Sequence, residues 1–136
     1  LLIAALIGDE WKNIYNYAVR WIHSDLKFSE QGKNELCEYH TKMVKQINRA
    51  IEVFRDVNLE KAKVMKKKYK KYSELAGEYE LSHLSRVKED IRQSVESSEI
   101  HVEFMEMMKS ITSHTTNIAR ILLENQAILE QNNSKT

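Results

Sequence analysis

The sequence predicts an all-α protein, an antiparallel up-down bundle of four long helices, and two observations carry that prediction. Core-type residues recur in unbroken alternations of three- and four-residue steps: Leu36, His40, Met43, Ile47, Ala50, Phe54; then Ala62, Met65, Tyr69, Tyr72, Ala76, Tyr79, His83; then Ile100, Phe104, Met107, Ile111, His114, Ile118, Ile121. This is the period of one face of an α-helix, not the alternation of a strand. Proline is absent and only three glycines occur in 136 residues, so little interrupts these stretches.

The first helix runs from about Leu2 to His23, with Ile7, Trp11, Ile14, Ala18 and Trp21 forming a fourth stripe. Asp25 to Phe28 breaks it. Ser29 is placed to cap a second helix with Glu30 in its first turn, where a carboxylate opposes the positive helix end, and this helix runs to about Arg55. Asp56, Val57 and Asn58 form the next turn. The third helix continues to about Arg92, and Ser94 or Ser97 caps a fourth that ends near Glu130. Residues 131–136 are a polar tail expected to fray. Short turns between long helices make neighbours antiparallel.

Reflecting positions through these turns places His40 and His114 at a similar height. His83 lands opposite Met105, about nine residues or ~13 Å along the axis from His114. Two imidazoles on facing helices are a start to a metal site, but two ligands do not complete one. Glu74 lies near that height but off its stripe. The expectation is a polar layer at His40 and His114, with the imidazoles hydrogen-bonded to a carbonyl or to Ser113 or Thr115. A ferritin-like centre needs two Glu-x-x-His pairs, and Glu80 to His83 is the only one. Phosphotransfer needs an imidazole in solvent; His40, His83 and His114 fall on buried stripes, while His23 and His101 read as more exposed.

A 136-residue chain with 42% hydrophobic residues fits one domain with a substantial core. The formal net charge of +1 announces neither a nucleic acid nor an acidic partner. Cys37 is the only cysteine, which fits a free thiol in a reducing compartment. Residues 1–7 are apolar but far short of the roughly 20 that span a bilayer. The chain has no initiator methionine and starts inside a helix, and so reads as a piece of a larger protein.

Charge is unevenly spread. Lys61, Lys63, Lys66, Lys67, Lys68, Lys70 and Lys71 place seven lysines in eleven residues, whereas Glu74 to Glu106 holds nine acids against Arg86, Lys88 and Arg92. The lysines form a solvated helix face and a docking surface for anionic lipid or an acidic domain. No groove-reading motif accompanies them, so nucleic acid is not expected. No glycine-rich phosphate loop, nucleophile elbow or convergent acid–base pair occurs, and the chain reads as a non-enzyme without a cofactor.

Ile111-Thr-Ser-His-Thr-Thr-Asn-Ile-Ala119 resembles the end-of-repeat motif of PhoU-type domains, and Ile7-Gly-Asp-Glu-Trp-Lys-Asn-Ile14 is similar to the same motif. Leu26-Lys-Phe-Ser-Glu-Gln-Gly32, Ala50 to Phe54, His83-Leu-Ser-Arg86 and Ser97-Ser-Glu-Ile-His101 look more particularly like the PhoU-like region of bacterial sodium/phosphate cotransporters. The resemblance covers nearly the whole chain. It implies a three-helix repeat over residues 27–131, preceded by the last helix of another repeat over residues 1–26 and followed by the tail, residues 132–136. It further implies a domain on the cytoplasmic face of the bacterial inner membrane that controls phosphate uptake through contacts with its own transmembrane transporter domain. A homodimer is a separate candidate partnership that the resemblance does not supply. PhoU relatives can hold metal clusters on a Glu/Asp-x-x-x-Asp pattern. Here the corresponding positions are Lys109 and Ser113, and Ala5 and Asp9, so each acidic pair is broken. An ammonium or hydroxyl cannot replace the oxygen charge a hard cation needs. No metal is therefore expected, and His40, His114 and Asp9 are the only candidates.

Overall fold

The computed structural model describes residues 2–23 and 26–133, with side chains throughout except at residues 2–7, 10, 21 and 128–133. All regular structure among the described residues is helical: α1 Leu2–Ile22, α2 Glu30–Asp56, α3 Leu59–Lys88, α4 Arg92–Glu96 and α5 Ser98–Asn133. The chain is all-α. None of these helices is long and apolar enough to cross a membrane. The expected break at Asp25, the Ile7 and Trp21 side chains of the first stripe and the last three residues of the tail lie outside the described residues.

Ser29 caps α2 as expected: its hydroxyl accepts from the Gly32 amide at 3.2 Å. That hydroxyl also accepts from Ser94 at 3.1 Å, which ties α4 to the start of α2. Ser29→Ala removes both bonds at a buried position and should cost about 1–2 kcal/mol. A fall in the urea midpoint without a change in m-value would show it; an unchanged midpoint would mean that the cap contributes nothing. At the other end of α2 the chain turns through Val57, left-handed at φ 46°, and Asn58 caps α3 by accepting from the Lys61 amide at 2.9 Å.

The third helix ends earlier than the sequence suggests, at Lys88 rather than Arg92. Asp90 takes a left-handed conformation at φ 55°. Its amide donates to the Val87 carbonyl and the Ile91 amide donates to Arg86, both at 3.0 Å. These bonds form a Schellman motif, normally signalled by glycine; here an aspartate, which tolerates that conformation better than most residues, takes its place. The one-turn α4 follows, and α5 starts at Ser98 and runs past Glu130 to Asn133. Ser97 immediately precedes α5 and its carbonyl accepts from the His101 amide at 2.9 Å, while its hydroxyl donates to the Gln93 carbonyl; Ser94 lies inside α4 and donates to Ser29.

α5 packs against α1, α2 and α3, and α2 packs against α3. One apolar cluster joins Tyr39 and Met43 of α2, Tyr72 and Ala76 of α3, and Met105, Met108 and Ile111 of α5, with Ile14 of α1 against it. A second joins Ala50, Val53, Ala62, Met65 and Ala119. A polar layer does occur, but not at His40 and His114. It is built on the fully buried Gln46, whose amide donates to the Met65 carbonyl at 3.0 Å and to Thr116 Oγ1 at 2.9 Å. Thr112, Thr115 and Thr116 each satisfy their hydroxyl on the carbonyl one turn back.

The buried face of α2 is rotated from the expected stripe. Its centre is Glu35, Tyr39, Met43, Gln46, Ala50 and Val53. Leu36 and Ile47 are half-buried, and His40 and Phe54 face solvent, Phe54 at 75% exposure. The shift arises because two polar residues, Glu35 and Gln46, lie on the buried face with partners on α3 and α5. Trp11 and Ile121 are also substantially exposed, at 45% and 49%.

Candidate functional site

Three features stand out: a sealed ionic junction, an open apolar groove and a basic cleft. The junction forms where the starts of α2 and α5 meet the end of α3. Arg86 grips Glu35 with both arms, Nη1 to Oε1 at 2.8 Å and Nη2 to Oε2 at 2.7 Å. Ser82 donates to Glu35 at 2.8 Å and accepts from Arg86 at 2.7 Å, while Arg86 Nε reaches Ser94 at 3.3 Å. The two charged side chains are only 6% and 7% exposed. Burial opposes ionisation of Glu35, but the bonds from Arg86 and Ser82 and the guanidinium charge outweigh it and hold the carboxyl below its ordinary value.

His83 and His101 lie beside this pair, their rings stacked at 4.3 Å and 6° from parallel. Phe28 meets His101 edge-on at 6.1 Å. His83 Nε2 pairs with Ser98 Oγ at 2.9 Å, whereas His101 Nε2 is buried without a hydrogen bond, 3.8 Å from Glu35 Oε2. Burial, then the neighbouring His83, push the His101 imidazole down to about 4, and burial also lowers His83. His101, expected to be more exposed, is thus among the most enclosed side chains. The expected register is displaced too: His83 stands opposite Ser98 and His101, not Met105, because the turn at Asp90 shifts the pivot toward α3. The enclosure denies the junction access to a substrate; what it can do is lock three helices together.

The apolar groove, about 850 Å³, is bounded by Trp11 and Ile14 of α1, Leu36 and His40 of α2, and Phe104 and Met108 of α5. It exists because α1 rests on α5 and leaves the adjoining face of α2 uncovered. Exposed His40 lines its wall, so the expectation that this residue is buried is overturned; Cys37 stands on the same wall and is also exposed. His114 is half-buried on α5 and is not among the residues lining the groove. Its expected partners are engaged elsewhere, since Ser113 accepts from Tyr69 and Thr115 donates to Ile111. Asp9 is exposed on α1. Among the described residues no three His, Cys, Asp or Glu side chains gather into a metal-binding group.

The lysine run divides into parts. Lys61 is neutralised by Asp56 at 3.0 Å and Glu52 at 3.3 Å. Lys63, Lys66, Lys67 and Lys70 share one helical face and line a cleft of about 570 Å³ with Arg120 and Leu123 of α5. Lys68 and Lys71 lie off it. The Arg120 guanidinium rests 4.8 Å above the Tyr69 ring and donates to Asn117. The lysines could be read from the sequence. Arg120 could not, since fifty residues separate it from Lys70.

No family model, no curated protein and no solved structure matches this chain.

Proposed function

We propose that the chain is a non-catalytic, PhoU-like regulatory domain of a sodium-dependent phosphate transporter that acts through protein contacts in the control of phosphate uptake. The observation that carries this reading is the unequal packing of the helices: α2, α3 and α5 pack on one another, while α1 rests on α5. That is the arrangement expected of a three-helix repeat with the last helix of a preceding repeat laid against it. Residue pairings support an up-down antiparallel bundle. Partners of rising number on α2 meet falling numbers on α3, as in Glu35 with Arg86 and Gln46 with Met65. The same holds between α3 and α5, as in Tyr69 with Ser113 and His83 with Ser98.

The alternatives are a free-standing PhoU-like metal-binding regulator of phosphate signalling and a generic helical interaction scaffold. The first reading is favoured over the metal-binding one because Lys109 and Ser113 occupy one pair of metal positions, and both are engaged: Lys109 with Glu80 and Glu106, Ser113 with Tyr69. A cation there would have to displace an ammonium.

Sequencing the gene upstream of the Leu1 codon tests the transporter assignment. Eight or more apolar segments of about 20 residues are expected, and a start codon next to Leu1 would sink it. In cells expressing the full gene, removal of residues 27–131 should change the rate of sodium-dependent uptake of labelled phosphate. An unchanged rate would remove the regulatory role.

A further inference from the structure

We propose that the cleft between α3 and α5 is a binding site for a compact, soluble polyphosphate anion, held by Lys63, Lys66, Lys67, Lys70 and Arg120. Four of these cations stand at i, i+3, i+4 and i+7 on α3, the spacing of a single helical face. Arg120 faces them from α5, so positive charge borders the cleft from both helices. Among the described residues no acidic side chain lines it.

Like charges brought together without counter-charges repel, and a protein relieves this by interleaving acids. Here the relief is incomplete. Lys63 has Glu60 at 2.7 Å, but among the described residues no carboxylate lies within ion-pair distance of Lys66, Lys67, Lys70 or Arg120. Other parts of the surface do interleave: Lys42 pairs with Glu38, Arg92 with Glu96 and Lys109 with Glu80. The cleft therefore concentrates a positive field that a multiply charged anion would neutralise.

The cleft also has an anchored base. Tyr69 is half-buried and its hydroxyl bonds Ser113 at 3.3 Å, while its ring carries Arg120, which is held in turn by Asn117. A guanidinium fixed this way loses less freedom on binding than a free arginine. The four lysines supply rotatable ammonium donors around it. One phosphate group brings only about −1.5 to −2 charges, so the four cations that have no carboxylate partner among the described residues, with Lys63 beside them, match linked phosphates better than one. Cations on both helices can flank a compact chain of phosphates, whereas a flat bilayer would meet only the outermost ammonium groups.

Calorimetric titration of the whole chain with sodium tripolyphosphate, with orthophosphate and with phosphatidylglycerol vesicles tests the proposal. Tripolyphosphate should bind with micromolar affinity that weakens as salt rises, and orthophosphate should bind far more weakly. A Lys66→Gln/Lys70→Gln variant should lose about tenfold or more in affinity for tripolyphosphate. Lys68→Gln/Lys71→Gln removes the same charge outside the cleft and should stay within about twofold, with the helical circular dichroism of both variants unchanged. Equal losses in the two variants would overturn the site in favour of diffuse charge attraction. Binding to vesicles without binding to tripolyphosphate would overturn it in favour of a membrane surface, and no binding of either would overturn it outright.

Discussion

Arg86→Met should be among the most destabilising single changes in this chain, costing about 3–5 kcal/mol. The substitution keeps much of the aliphatic volume but removes both arms of the clamp and strands the Glu35 carboxylate, which has under a tenth of its surface in water. Ser82 and Gln31 still donate to Glu35, and two neutral donors cannot replace a bidentate cation. The loss should appear as a lower urea midpoint. Adding Glu35→Leu removes the stranded charge, so the double variant should recover most of the loss, because two apolar residues can fill a site that one unpaired ion cannot. A single variant within about 1 kcal/mol of wild type would mean that the pair does not hold α2 to α3.

Acidification should weaken the same junction before the carboxylates titrate. The His101 imidazole is pushed from 6.5 down to about 4 in the folded chain, by burial first and then by His83, so the unfolded chain takes up this proton at higher pH. Stability from the neutral imidazole is fully present above about pH 6.5 and is lost progressively as pH falls toward 4, amounting to about 3 kcal/mol over the whole range. His83, also lowered, acts in the same direction. Glu35 is held below its ordinary value, so its stabilisation too is lost on further acidification. The charged and titratable groups around His101 are His83 and Arg86 from α3 and Glu35 from α2; burial, His83 and Arg86 oppose protonation, and the carboxylate and the Gly32 backbone favour it. His101→Phe should flatten the fall between pH 6.5 and 4.5 and bury no unpaired ring nitrogen. A constant difference between variant and wild type across that range would refute His101 as the source.

The legible part of the structure is specific. The α3 stripe at Ala62, Met65, Tyr72, Ala76 and His83 is buried as its spacing indicates, and Ser29 caps the helix that follows it. The α2 stripe misled because hydropathy assigns Glu35 and Gln46 to solvent, whereas partners on other helices satisfy them inside. His40 and Phe54 then turn outward with the rotated face. The end of α3 was hidden because Asp90 adopts the left-handed cap conformation usually signalled by glycine. Of the candidate cleft, the lysine run was plain in the chain, but its division into a neutralised Lys61, four cleft residues and two residues outside it depends on where α5 lies.

By itself the sequence determined the helical class, the approximate extent of the four long helices and the clustering of lysines on one of them. These depend on local spacing, capping and the absence of breakers, all of which act within a few residues along the chain. Only the tertiary structure decided which polar residues are buried, which histidines meet and which arginine completes the basic cleft. Each of those outcomes depends on a partner contributed by another helix: Arg86 for Glu35, His101 for His83, and Arg120 for the lysines of α3. A charge or hydrogen-bonding group is stable inside only when such a partner reaches it, and a periodicity along one helix carries no information about the helix that supplies it.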